Sequence, residues 1–159
     1  MRILIASVGQ AKGELAAVED DYIAMAAKLG RSAGLRGIDR PPVAQSKAAT
    51  AARRMDEEAA RLLDIAGGSD IWTLDPGGDP ITTEDLAAAA RRGLDGGTGT
   101  LAFIIGGPDG LAPEVKRKSA RLIAFGRLTW PHRLVRVMLA EQIYRVVTIL
   151  VNHPYHRGA

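Results

Sequence analysis

The run LAFII, Leu101 to Ile105, places five apolar residues in succession and is closed by Gly106 and Gly107. A strand with no polar face must be covered on both sides, which is the condition of a parallel sheet with helices above and below. The chain repeats the same alternation along its length. Met1 to Val8 is a second apolar run, stopped by Gly9, and Leu15, Val18, Tyr22, Met25 and Leu29 then fall at the spacing of an amphipathic helix ending at Gly30. LRGID, Leu35 to Asp39, reads as a weak strand, the pair Pro41 and Pro42 breaks the chain, and a helix from Lys47 to Ala66 carries Met55, Ala59, Leu62 and Ala66 on one face. Ile71 to Leu74 is a strand that runs into the turn-rich DPGGDP, followed by Thr82 with Asp85 three residues on, the signature of a helix N-cap. The spacing predicts a helix to about Leu94, an exposed glycine-rich connection, a short helix over Glu114 to Ala120 and a last strand over Leu122 to Leu128. Pro131 is then expected in the first turn of a long helix whose Leu134, Val135, Met138, Leu139, Gln142, Ile143, Val146 and Val147 advance in steps of four. About five alternations of strand and helix imply an α/β fold with a mainly parallel sheet.

At 159 residues and 47% apolar content the chain is expected to form one domain over residues 1 to 159. Absence of cysteine excludes disulfides and thiolate metal sites and suits a reducing, cytoplasmic setting. The N-terminal apolar run meets Gly9, Lys12 and Glu14 too early for a signal sequence or membrane span, so the expectation is a soluble protein with no membrane partner.

Charge is unevenly placed. The net value is only +3, yet residues 111 to 159 hold nine Lys or Arg against Glu114 and Glu141 alone. The imbalance points to a polyanionic partner for the C-terminal third, and a solvated Arg-rich face is the plainer alternative.

Ligands in open α/β sheets collect where strand ends meet helix N-termini. Three unusual loops leave strands here, LDPGGDP, GGPDG and GRLTWPH, and the alternation brings them to one rim. GGPDG is neither the dinucleotide nor the P-loop glycine pattern, and as an isolated motif it is ordinary turn chemistry. No G-x-S-x-G elbow or H-E-x-x-H helix is present, so hydrolase readings are weak. His132, His153 and His156 raise the question of a metal, but Pro154 prevents a helix from presenting the last two together and no carboxylate partner is evident, so no metal is expected. The ending NHPYHR offers Tyr155 for stacking, Arg157 for phosphate and a histidine for proton transfer, with a tail strapped on the core by Tyr155 as the alternative.

Taken together, TLDPGGDPITTEDLA, LAFIIGGPDGL and LTWPHRLVRVMLAEQIYRVVTILVNHPYHR resemble the bacterial RlmH family over residues 70 to 157, while residues 1 to 69 match in pattern only. The resemblance implies a SPOUT-type sheet with helices on both faces and a C-terminal trefoil knot, acting as a homodimer. It implies methylation of N3 of a pseudouridine in 23S ribosomal RNA of the large subunit, on the assembled ribosome, with S-adenosylmethionine as donor. The matching donor-site positions are Leu74, Asp75, Gly106, Gly107, Arg127, Leu128, Thr129, Trp130, Pro131 and His132, with Pro108 and Gly110 in support. His153, Tyr155, His156 and Arg157 are the groups expected beside the target base, and Arg133 and Arg136 are expected at phosphates, with an ion-pair role the alternative. A transfer RNA substrate, or a non-catalytic ribosome-associated binder, are the rival readings; the latter would not bind S-adenosylmethionine.

Overall fold

The computed structural model describes residues 1–158, with side chains through residue 156. In chain order the elements are β1 (Arg2–Val8), α1 (Glu14–Gly30), β2 (Gly37–Asp39), β3 (Pro42–Val43), α2 (Ala51–Ile65), β4 (Asp70–Pro80), α3 (Thr83–Asp95), β5 (Thr100–Ile105), α4 (Pro113–Lys118), β6 (Arg121–Ala124) and α5 (His132–Leu150). The sheet runs β2-β1-β5-β4-β6 with β3 against the end of β1, and every pairing is parallel. Both faces are covered, as the unbroken apolar runs require. Ile3, Ile5, Leu101, Phe103 and Ile105 pack under α1, α3 and α5, while Leu4, Ala6, Val8, Ala102 and Ile104 alternate to the face held by α2 and α4.

Helix ends follow their local chemistry. Thr82 accepts from the Asp85 backbone N–H and Asp85 accepts from that of Thr82, a reciprocal capping box that starts α3. The same contact, led by the Thr82 hydroxyl, holds the Asp85 carboxyl below its ordinary value. α2 begins later than expected, at Ala51, because Thr50 caps it through the Arg53 N–H, and residues 46 to 48 instead fold back on its side. Pro131 caps α5 rather than lying in its first turn, and β6 stops at Ala124. After Ala124 the chain leaves the sheet, and Gly126 takes a φ of 85° that a Cβ would disfavour.

DPGGDP is a turn set inside a strand. β4 pairs with β6 at Leu74, loses register, and resumes it at Asp79, so both residues face Ile123. The Asp75 carboxylate accepts from the Gly77 N–H at 2.9 Å, closing the turn. Gly78 passes so close to β6 that a Cβ would lie 2.7 Å from the Ile123 backbone, which explains the glycine without any appeal to φ.

The expected stripe on α1 is only partly buried, with Tyr22 and Leu29 packed against the core. Glu19, Ile23, Ala26 and Gly30 face the sheet, whereas Leu15, Val18 and Met25 are exposed at 36%, 41% and 41%. Ile23 and Ala26 extend the buried face, and Glu19 is buried there because it pairs with Arg136 of α5.

Candidate functional site

The carboxyl ends of β4, β5 and β6 surround a cavity of about 410 Å³. Leu74 and Asp75 come from the end of regular β4 pairing, Gly106 and Gly107 follow β5, and Leu128, Thr129, Trp130, Pro131 and His132 form the passage from β6 into α5. Pro108 and Gly110 also line it. Arg127 does not, because its exposed side chain lies outside a wall made by its neighbours Gly126 and Leu128. Pro76, Leu111, Phe125 and Val135 line the cavity and were not expected there. Phe125 had a signal, the glycine that follows it; Val135 follows from His132 by helical spacing; Leu111 carried none.

The walls are largely apolar, and their polar groups are mostly already committed. Asp75 accepts from Gly77 N through one oxygen and receives the Lys116 ammonium at 2.6 Å through the other. The Trp130 indole donates to the Phe125 carbonyl at 3.0 Å, closing the loop between β6 and α5 so that its ring stands as a wall. Gly106 is required by contact, since a Cβ there would lie 2.7 Å from Leu111 Cγ and 2.9 Å from the Gly110 carbonyl. Gly110 N–H donates back to Gly107 O at 3.0 Å and completes this turn. His132 has its imidazole pushed down by burial first and then by the charges of Arg133 and Arg136. The only imidazole in the wall is therefore biased toward its neutral form.

Arg133 is exposed near the cavity mouth, whereas Arg136 is withdrawn from it. Its side chain is 11% exposed and forks onto the buried Glu19, with Nε to Oε2 at 3.0 Å and Nη2 to Oε1 at 3.2 Å; Nη1 also donates to Gly9 O. Arg40 meets the same carboxylate at 3.1 Å. Arg136 thus makes an ion pair, and taking it to a phosphate would leave a carboxylate that is 1% exposed with Arg40 as its remaining cation.

The tail lies at the other end of α5. α5 spans nineteen residues from His132 to Leu150, a rise of about 27 Å, and the tail then folds back along it as far as Glu141. Asn152, with a φ of 55°, turns the chain after the helix, and His153 N–H donates to Thr148 O at 2.8 Å. Tyr155 is strapped onto α5, its hydroxyl donating to Glu141 Oε1 at 3.2 Å, its ring 4.7 Å from that of Tyr144 and beneath the Arg145 guanidinium. Burial first, then Tyr22 and Glu141, push the phenol up to about 12, which favours the neutral phenol that donates to Glu141. His153 Nδ1 accepts from Tyr155 N–H, and His156 Nδ1 is buried without a partner. The side chain of Arg157 lies outside the described residues. The structure therefore gathers nine of the ten expected donor-site residues into one cavity, and none of His153, Tyr155 or His156 lines it. Among the described residues no group of three or more His, Asp or Glu is arranged to hold a metal, and no helix is long and apolar enough to cross a membrane.

A parallel sheet covered on both faces, with a glycine-walled cavity at the strand ends, defines an α/β protein whose rim has room for a compact ligand. Residues 1–156 match the family described as "Predicted SPOUT methyltransferase". Proteins named "Ribosomal RNA large subunit methyltransferase H" from Xanthobacter autotrophicus and Rhodopseudomonas palustris strain BisB5 are 47% and 45% identical, the alignments covering 99% of this chain and 100% of each relative. In fold, the chain is similar to a probable methyltransferase from Bordetella pertussis, with a TM-score of 0.53 at 14% identity over 91% of this chain and 95% of that one. It is similar as well to a probable methylase family protein from Haemophilus influenzae, with a TM-score of 0.51 at 10% identity over 97% and 69%. The chain belongs to the SPOUT methyltransferase family and, within it, to the family of ribosomal RNA large subunit methyltransferase H.

Proposed function

We propose that the protein transfers a methyl group from S-adenosylmethionine, held in the rim cavity, to N3 of a pseudouridine in 23S ribosomal RNA, on the assembled ribosome in the cytoplasm. The observation that carries this reading is the convergence of Leu74, Gly106, Gly107 and residues 128 to 132, from three separate parts of the chain, on one cavity. The cavity fits the donor in chemistry as well as size. Its volume lies within the range of small-ligand pockets, its apolar walls suit a flat uncharged ring, and the bias of His132 toward neutrality avoids repelling a cation.

S-adenosylmethionine supplies an electrophilic methyl group on a sulfonium when bound. The chain's own contribution is to hold that group while excluding water, through walls fixed by the Trp130 and Gly106 contacts. The acceptor N–H must also lose its proton, and the cavity has only His132 as a titratable group not tied to a cation. His153 and His156 are the bases within the tail, Arg157 is the cation to stabilise the developing anion, and Tyr155 positions them by fastening the turn to α5. Exposed Arg133 and Arg127 near the cavity mouth are the proposed phosphate contacts.

Because the turn after Leu150 starts about 27 Å along α5 from His132 and its strap returns only as far as Glu141, these groups reach the base from a second copy of the chain. The exposed apolar side chains Leu15, Val18 and Met25 of α1, with Leu128, Trp130 and Leu134 beside the cavity, are the surface proposed to pair in a homodimer. The trefoil knot is proposed for the segment after β6, which packs as α5 with α1 and α3 instead of staying at the edge where β6 lies. Mass spectrometry of 23S ribosomal RNA from cells lacking the protein is expected to reveal one missing methyl group on a pseudouridine. A full methyl complement there, with a loss in transfer RNA instead, would redirect the substrate; failure to bind S-adenosylmethionine in calorimetry would end the enzymatic reading.

A further inference from the structure

α2 takes no part in the cavity wall, yet it reaches the loop that follows β5 at two points. Arg54 forks onto Asp109, Nε to Oδ2 at 2.7 Å and Nη2 to Oδ1 at 2.8 Å, and its Nη1 also donates to the Ala48 carbonyl at 3.0 Å. One turn further along, Glu58 is 2% exposed. Its Oε1 accepts from Ser46 N–H at 2.9 Å, while Oε2 is buried and has no hydrogen-bond partner. That orphan oxygen lies under Gly107: a Cβ built there would sit 2.9 Å from it and 3.0 Å from Val8 Cγ1. The glycine backbone therefore rests flush on a carboxylate.

An unpaired buried carboxylate oxygen is costly and calls for a reason. We propose that Glu58 and Arg54 are positioning residues for the methyl-donor loop, α2 clamping residues 106 to 110 from behind, with Arg54 fixing the far end through Asp109 and Glu58 setting the height of Gly107. The inference rests on the donor-site reading above, since it assigns the loop its ligand. Arg54–Asp109 is a planar two-bond contact that fixes orientation as well as distance, which a lysine would not reproduce. Fork and carboxylate occupy one face of α2, four residues apart, so a tilt of that helix moves both contacts together.

Two measurements on the full-length protein test this. Hydrogen exchange of the ligand-free protein reads the clamp itself: Arg54→Gln and Glu58→Gln are expected to speed exchange of the Gly107 to Gly110 amides by about ten-fold or more while β5 stays protected. Unchanged loop exchange in both variants overturns the proposal. Calorimetry with S-adenosylmethionine is expected to give dissociation constants about ten-fold weaker in each variant, and Arg54→Lys should resemble Arg54→Gln. The double variant Arg54→Asp with Asp109→Arg should recover most of the loss, which separates the pair from general destabilisation. Variants that bind as tightly as the wild type overturn the clamp and leave the donor site standing. A wild-type protein that does not bind the donor overturns the donor-site reading and, with it, the donor role of the clamp.

Discussion

The two ends of α5 are built on opposite plans. At its start, His132 and Val135 face a cavity whose walls are glycine, proline, backbone and apolar side chains, closed by contacts within one chain. At its end, the tail concentrates His153, Tyr155 and His156 around a short turn, and Tyr155 is held by Glu141, Tyr144 and Arg145. The first plan makes a container and the second makes a tool. A container has to be rigid and chemically quiet; a tool has to present reactive groups to something brought from outside. On the proposed reading, with the donor in the cavity and the tail against the base, neither end is a complete active site within one chain, and the comparison supports the proposed dimer.

The largest expected effect comes from breaking the start of α5. Arg136→Met removes two of the three guanidinium contacts on buried Glu19 and should cost about 3 kcal/mol in chemical denaturation. If a surface role dominated, the loss would be near zero and donor affinity would be untouched. Gly107→Val comes next. A Cβ at that position meets Glu58 and Val8, so donor affinity should fall by about 100-fold in calorimetry while sedimentation still reports a dimer. A variant that loses both at once would mean the container and the dimer surface are one cooperative unit, and the contrast between the two ends would have to be redrawn.

Much of the container was legible from its punctuation. LAFII required a covered parallel strand, Thr82 with Asp85 announced a helix start, and the three loops that interrupt the alternation meet at one rim because parallel strands deliver their carboxyl ends to the same side. The resemblance then supplied which loop residues to expect, and Arg127 is the one that lies off the wall. What could not be read are features set by partners distant in sequence. DPGGDP has turn composition, but its glycines serve a strand that crosses the Ile123 backbone. Leu15, Val18 and Met25 of the α1 stripe are exposed while Tyr22 and Leu29 pack inward, because the buried face is turned toward Glu19, which pairs with Arg136 of α5. Arg136 has the composition of a phosphate contact, and only the fold reveals Glu19 waiting 117 residues away.

The tail should respond more weakly than the container. Tyr155→Phe removes one partly exposed hydrogen bond to Glu141 and should cost about 1 kcal/mol at neutral pH. The phenol's value is raised on folding, from near 10 to about 12, so the neutral form is favoured in the native state. Its stabilisation is therefore fully present below pH 10 and is lost as pH rises through about 12. Wild type and Tyr155→Phe should converge in stability across that alkaline window. A gap that widened there instead would mean the phenolate is the favoured form, and Tyr155 would return as a base.

The smallest effect belongs to His132 and acts at the container end in the opposite direction of pH. Its imidazole is lowered on folding, by burial and by Arg133 and Arg136, so the unfolded chain binds the proton more readily than the native one. The associated stability is present above the ordinary imidazole range and is lost as pH falls through that range. The shallow slope reflects a half-exposed ring. The neutral isostere His132→Gln should flatten this acid-side slope without changing the alkaline one set by Tyr155. Donor affinity in the wild type should weaken in the same acid window, because an imidazolium in the wall opposes a sulfonium. If acid weakens donor binding equally in His132→Gln, the effect lies elsewhere, and His132 contributes only its shape to the cavity.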